Sequence, residues 1–328
     1  MARKVDSQDA LDCLIVGAGP AGLTAAIYLS RYKRNAIVVD GGNQRASYIP
    51  TSHNHPGFPH GVHGIDLLRL MREQAEKYGA FIKAGRIERL TQREDGLFAA
   101  TMAGNAPLIA KHVLLATGVF NHRPKAVITM GDEWHRAAVQ RLLIRYCPIC
   151  DGYEASGRKI AVVGTGHHAI SEASFISTYS SRITLIADQM VDLDGVDMLP
   201  AQTIRIERRP LAKLDFAPDG GLHCWYAGAS EPEHFDVLYP ALGSKFNAEL
   251  AEQIGCKLAE NGDILVNDHQ MTSVPNVWAA GDVVRGLDQI TVAQAQAAVA
   301  CTQIHNDLRT AESGMKITSP NKGGVHPH

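Results

Sequence analysis

The residues with the plainest chemical potential in this chain are Cys147-Pro148-Ile149-Cys150-Asp151. Two thiols at this spacing can supply half of a zinc site, or can close and open reversibly as a disulfide. The remaining cysteines, Cys13, Cys224, Cys256 and Cys301, have no partner at metal-ligand spacing, which gives a four-cysteine zinc site little support. Six cysteines with a single close pair do not make a secreted disulfide framework either. Cys13, in an apolar strand, and Cys301, on an alanine-rich helix, read as core residues.

The elements that must position the pair are dinucleotide-type units on either side of it. Leu14-Ile15-Val16 is an apolar run suited to a buried parallel strand, and Gly17-Ala18-Gly19-Pro20-Ala21-Gly22 follows at once. A helix then runs to about Arg31, and a second strand, Ala36 to Val39, ends at Asp40. Glycines let backbone approach a pyrophosphate, the helix start offers free N–H groups, and an acid at the second strand end can accept from a ribose diol. Past the cysteines, Ile160 to Val163 leads into Gly164-Thr165-Gly166-His167-His168-Ala169, a helix through Tyr179 and a strand at Ile183 to Ile186. This is a second copy of the same unit, an internal repeat of whole domains.

A length of 328 residues accommodates two domains, and 45% hydrophobic with 20% charged residues at a formal charge of −2 describes an ordinary globular protein. Neither nucleic acid nor an anionic membrane is suggested, and the apolar stretch Leu14 to Leu29 is broken by glycines and Pro20, so it reads as neither a signal peptide nor a span. Cytoplasmic residence is the expectation. His53, His55, His60 and His63 sit among prolines and glycines with no carboxylates nearby and read as solvated loop histidines, with no metal site expected. An amphipathic helix is expected over Ile65 to Lys77, and short strands lead to Ala116-Thr117-Gly118, where small residues let backbone pass close to a nucleotide. Residues 121–145 are basic and irregular and read as a linker. Asp263 to Val266 and Val274 to Ala279 read as strands, the second entering Gly281-Asp282, and a small-residue helix over Val292 to Leu308 precedes a loose tail.

Taken in order, the turn Gly17 to Gly22, Cys147-x-x-Cys150-Asp151, Gly164 to Ala169, and Ala279-Ala280-Gly281-Asp282 resemble the low-molecular-weight thioredoxin reductase family of flavoproteins, over about residues 11 to 308. The resemblance implies an α/β fold of two Rossmann-like dinucleotide-binding domains of three-layer ββα type, the second inserted into the first. An FAD domain would comprise 1–121 and 244–328, and a nucleotide-type domain of 122–243 would carry the cysteines. Carried over by position, Gly17, Gly19, Ala21 and Gly22 would cradle the FAD pyrophosphate, Asp40 would face its adenosine ribose, and Pro20 and Gln44 would also contact FAD. Asn54, Ala116, Thr117, Gly118, Gly281, Asp282, Gln289 and Ile290 would line the flavin. The helix start near Ile290 would point its positive end at the flavin. Cys150 would exchange electrons with the flavin, Cys147 would attack a substrate disulfide, and Asp151 would move protons. A thioredoxin-like protein or a small-molecule disulfide is the implied partner, and a homodimer the implied assembly.

One departure bears on the electron donor. NADPH-dependent members of the family carry a His-Arg-Arg cluster where this chain has Ala187-Asp188-Gln189. A carboxylate repels a 2′-phosphate and accepts from a free 2′-hydroxyl, which argues against NADPH. The second site, Gly164, Gly166, His167, His168 and Asp188, is left to NADH, a second FAD, or no nucleotide in a protein served by ferredoxin. Two other functions use the same residues: a dithiol oxidase passing electrons to oxygen, and a redox or nucleotide sensor without turnover.

Overall fold

The computed structural model describes residues 10–188 and 204–314. Gln189, the chain before residue 10 and the tail from 315 lie outside them. The chain divides into two compact units: the segments up to Ser47, Ile65–Val119 and from Phe246 onward form one, and Tyr48–Gly64 with Phe120–Lys245 form the other. Residues 48–64, assigned from sequence to the first domain, therefore cluster with the second.

In the first unit, β1 (Leu11–Val16) is followed by α1 (Pro20–Arg31), β2 (Ala36–Asp40), α2 (Gly64–Lys77), β3 (Phe81–Ala84), β4 (Arg89–Gln92), β5 (Phe98–Thr101) and β6 (Leu108–Leu115). The sheet order is β3-β2-β1-β6-β5-β4, and the strand Val277–Ala279 pairs in parallel with the end of β6. Strands β3, β2, β1 and β6 run parallel, and β1 is a buried apolar run, as a strand covered on both faces must be. One face is covered by α1 and the long helix Ile290–Ser313, which meet through small residues, Cys301 Sγ lying 3.7 Å from the Ala25 carbonyl. The other face packs on a cluster that includes Phe98, Leu115, Leu250, Ile264 and Val283. Each large side chain sealed there contributes about 1.5–3 kcal/mol. The positions that later form the site are strand ends and helix starts, held by this core.

The second unit repeats the plan on a smaller scale. A parallel sheet ordered Ile204–Glu207, Ile183–Ala187, Ile160–Gly164, Val237–Ala241 has the helix Gly166–Ile176 on one face. A three-stranded antiparallel sheet and the helices Lys125–Met130 and Asp132–Gln140 pack on the other.

Those helices overturn the reading of 121–145 as a linker. Ala126 and Val127 on one helix and Ala138 and Val139 on the other are buried in the unit's core, too few apolar positions in each to mark a helical period in the sequence. Asp263 to Val266 is not a strand, since Ile264 makes only isolated bridges to Leu258 and Val284. The expected strand from Val274 shortens to Val277–Ala279 behind Pro275, and the last helix extends to Ser313. The helix after Gly164 ends at Ile176, short of Tyr179.

Candidate active site

Three strand ends of the first unit converge on the glycine turn. Gly17 has φ +109°, and a Cβ there would stand 2.3 Å from the Ala116 carbonyl oxygen. A Cβ on Gly22 would meet the Gly17 carbonyl oxygen at 1.8 Å. Both positions therefore demand glycine for close backbone packing. Gly19 differs, because a Cβ there would meet nothing within 4 Å, and as N-cap of α1 it provides no side-chain cap. No acidic residue occupies that helix's first turn. An open glycine over uncapped N–H groups is the cradle that an anionic pyrophosphate requires.

The other first-unit residues named from sequence gather at the same turn. Thr117 Oγ1 donates to the Asn247 carbonyl at 2.7 Å, and Asn247 Nδ2 donates back to the Thr117 carbonyl at 2.8 Å, fixing Ala116-Thr117-Gly118. A Cβ on Gly281 would come 3.1 Å from Ala21 Cβ, so Gly281-Asp282 lies against the first turn of α1. Gln289 and Ile290 begin the helix whose Ala293 flanks Gly281. Asp40 ends β2, accepting from the Gly42 amide at 2.9 Å and from Gln44 and Arg72. Sequence reasoning missed Arg45, whose Nη1 donates to Asp282 at 2.9 Å and to Asp288 at 3.3 Å. Burial, with the Asp282 charge adding to it, pushes Asp288 up to about 6 against the opposing pull of Arg45.

Asn54 falls in the second unit, where its amide donates to the Ile149 carbonyl at 3.4 Å. There Cys147 and Cys150 form a disulfide with Cα atoms 5.2 Å apart. Cys147 caps the one-turn helix Pro148–Asp151, and the Cys150 amide donates to Cys147 Sγ at 3.2 Å, a contact that favours negative charge on that sulfur after reduction. Asp151 is pushed up to about 6, chiefly by burial, while Arg145, Tyr239 and His53 pull it down. Tyr239 Oη donates to Asp151 Oδ1 at 2.8 Å, and Arg145 Nη1 holds the Asp151 carbonyl at 2.8 Å. Tyr239 arrives from a strand 88 residues away, and Arg145, six residues before Asp151, belongs to no motif that would have marked it. Among the described residues no group of three or more His, Cys, Asp or Glu side chains could hold a metal. No described helix is long and apolar enough to cross a membrane.

The second glycine turn has the same logic. A Cβ on Gly164 would meet the Ala241 carbonyl oxygen at 2.2 Å, whereas Gly166, at φ +63°, opens onto free space. His167 is exposed, and His168 pairs with Glu172 at 3.2 Å, which raises its pKa. Asp188 is nearly buried, and one of its oxygens accepts from the Lys125 amide at 3.1 Å.

The sequence profile of the pyridine nucleotide-disulphide oxidoreductase family matches residues 11–297. The chain belongs to that family. It is a flavin-dependent disulfide oxidoreductase of the two-Rossmann-domain class. Thioredoxin reductase of Aquifex aeolicus is 29% identical over 303 residues, 88% of this chain and 90% of the relative. That of Mycoplasmopsis pulmonis is 27% identical over 307 residues, covering 91% and 97%. The crystal structure of thioredoxin reductase from Streptococcus pyogenes superposes with TM-score 0.81 at 23% identity over 93% of this chain and 100% of that one, a likeness of fold. In this flavoprotein the turn Gly17–Gly22 has the shape and charge to receive FAD, by the open Gly19 and the uncapped start of α1.

Proposed function

We propose that this oxidoreductase works in the thioredoxin-reductase direction, opening the Cys147–Cys150 disulfide and using the resulting dithiol to reduce a disulfide in a thioredoxin-like protein or a small molecule. The observation that carries this reading is the half-buried Asp151, directly after Cys150, held by Tyr239 and pushed up to about 6. A carboxyl with a pKa near neutrality exchanges protons on both strokes of a thiol–disulfide cycle. Relatives named thioredoxin reductase support a protein partner, and the exposed Ile149 and Tyr153 beside the sulfurs give it apolar surface to meet.

FAD, when bound, supplies the two-electron chemistry that links donor and disulfide. Gly17, Gly19, Ala21 and Gly22 would hold its pyrophosphate, with Asp40 on the adenosine ribose and Ala116-Thr117-Gly118, Asp282 and Gln289-Ile290 along the flavin. Opening the disulfide to one thiol and one thiolate takes two electrons and one proton. Asp151 delivers one proton to the Cys150 sulfur, while Cys147, receiving the Cys150 amide hydrogen bond, is the thiolate that attacks the substrate. The attack forms a mixed disulfide with Cys147 and releases one substrate thiol. Cys150 then closes on Cys147 and releases the second, so two electrons leave for the substrate and the disulfide returns.

The donor in this reading is NADH. Asp188 at the end of the strand Ile183–Ala187 presents a carboxylate where a 2′-phosphate would need a cation, and the Lys125 charge near it is partly taken up by that carboxylate. Anaerobic stopped-flow reduction by NADH, NADPH, reduced ferredoxin and a small dithiol tests the assignment. Fastest flavin reduction by NADH supports it. If only dithiols reduce the flavin and oxygen rapidly reoxidises it, the protein is a dithiol oxidase and the proposed direction is wrong.

A further inference from the structure

Arg45 belongs to no expected motif, yet it stands at the centre of the charge pattern of the first unit. It opens the short helical turn Arg45–Tyr48, just past the Asp40 loop, and its guanidinium is about one quarter exposed, at 27%. Nη1 serves both Asp282 and Asp288, and the other guanidinium donors make no further hydrogen bond to described residues. Asp282 follows Gly281, which packs on Ala21 in the first turn of α1. Asp288 immediately precedes Gln289, the N-cap of the helix Ile290–Ser313. Two carboxylates thus border the region read as the FAD site, Asp282 next to the first turn of α1 that would hold the pyrophosphate and Asp288 next to the helix start that would face the flavin.

That arrangement sets a conflict. Helix N-termini attract anions, and here the cofactor's negative charge would have to settle beside the acids Asp282 and Asp288. A dianionic pyrophosphate arriving beside two uncompensated carboxylates would be repelled, and a desolvated like-charge contact is costly. Arg45 is the cation that touches both acids. Its planar guanidinium can bridge two carboxylates through one nitrogen while offering its remaining donors to a phosphate, which a lysine ammonium does less well.

We propose that Arg45 is a cofactor-positioning residue that clamps Asp282 and Asp288 and turns its remaining donors to the FAD pyrophosphate. The clamp makes an otherwise acidic strand end able to accept an anionic dinucleotide. This rests on the reading of the first unit as the FAD site and adds to it a residue that the glycine motifs do not contain.

The test is titration of the apoprotein with FAD, followed by quenching of flavin fluorescence, for wild type, R45M, D288N and R45M/D288N, with the melting temperature of each apoprotein measured in parallel. R45M is expected to raise Kd by at least about fivefold, as loss of one partner from a charged cluster does. D288N added to R45M is expected to recover at least about twofold of that loss, because it removes one of the two carboxylates left exposed. A Kd for R45M less than fivefold above wild type overturns the proposal, as does a double variant that binds no tighter than R45M. Should R45M fail to fold, R45M/D288N takes its place, since it removes a cation and an anion together. A Kd at least about twofold above wild type is then expected, since Asp282 keeps its charge, and anything less overturns the clamp. Wild-type protein that does not bind FAD at all refutes the cofactor assignment itself, a result distinct from any failure of Arg45.

Discussion

Tyr239 and Asp151, 88 residues apart in sequence, are joined by a 2.8 Å hydrogen bond from the phenol to the carboxylate Oδ1. Burial raises both groups, and the phenol remains a donor across the working pH range while the carboxyl titrates at about 6. The bond stabilises the charged carboxylate, so its loss must move Asp151 further up. In Tyr239→Phe the limb of the turnover–pH profile assigned to Asp151 is expected to rise by about 0.5–1 pH unit, the equivalent of one hydrogen bond. A profile that stays in place would separate Asp151 from the rate-determining proton transfer.

Asp151→Asn should trade activity for stability. Because the folded-state pKa lies above the usual carboxylate value of 3.8, the folded protein holds this proton more tightly than the unfolded chain does. The associated penalty is absent below the unfolded value, grows as pH rises toward 6 and is fully present above it. Asparagine avoids it and still accepts from Tyr239. Denaturant unfolding of the variant is expected to show a gain at pH 7.5 of up to roughly 2–3 kcal/mol that shrinks as pH falls toward 4. Turnover should fall by about 10²-fold or more.

The two glycines of the first turn make opposite predictions. Gly22→Ala would force a Cβ to 1.8 Å from the Gly17 carbonyl oxygen, and the unit should lose several kcal/mol, on the order of 3 or more, or fail to fold. Gly19→Ala meets no protein atom within 4 Å, and its φ of −77° suits alanine. Its apoprotein should melt within about 2 °C of wild type, because the change adds no clash. FAD should nonetheless bind at least about tenfold more weakly, because the methyl enters the space meant for the pyrophosphate. Unchanged FAD affinity in Gly19→Ala would place the cofactor elsewhere.

Cys150→Ser should leave FAD affinity unchanged and abolish turnover of disulfide substrates. It should also trap the substrate as a stable mixed disulfide on Cys147, visible by mass spectrometry of the intact chain, because no resolving thiol remains. A variant that still turns over would exchange the roles given to the two sulfurs.

Much of the site was legible beforehand because its requirements are local. Glycines at Gly17 and Gly22 answer a backbone approach of under 3 Å, and such demands leave a signature within a few residues. The cysteine pair with Asp151 was legible for the same reason. Arg45, Asp288, Tyr239 and Arg145 left no such signature. Arg45, Asp288 and Tyr239 acquire their roles from neighbours 88 or more residues away, so no window along the sequence contains both partners, while Arg145 lies only six residues from Asp151 but in no recognisable motif. The helices of 125–140 escaped notice by a different route. Their buried apolar residues are Ala126, Val127, Ala138 and Val139, joined by the polar His135, too few apolar positions to stand out among the polar and charged residues around them.

By itself, then, the sequence determined the two strand–glycine–helix units, the redox chemistry open to Cys147 and Cys150, and the change of charge at Asp188, because these depend on residue type and short-range spacing. The tertiary structure decided how those groups are tuned. It half-buried Asp151 against Tyr239, pushing its carboxyl up to about 6, left Gly19 open while closing Gly22, and set Arg45 between Asp282 and Asp288. Desolvation, hydrogen bonding and charge pairing at these places come from residues up to 243 positions apart, and only the folded chain brings them within bonding distance.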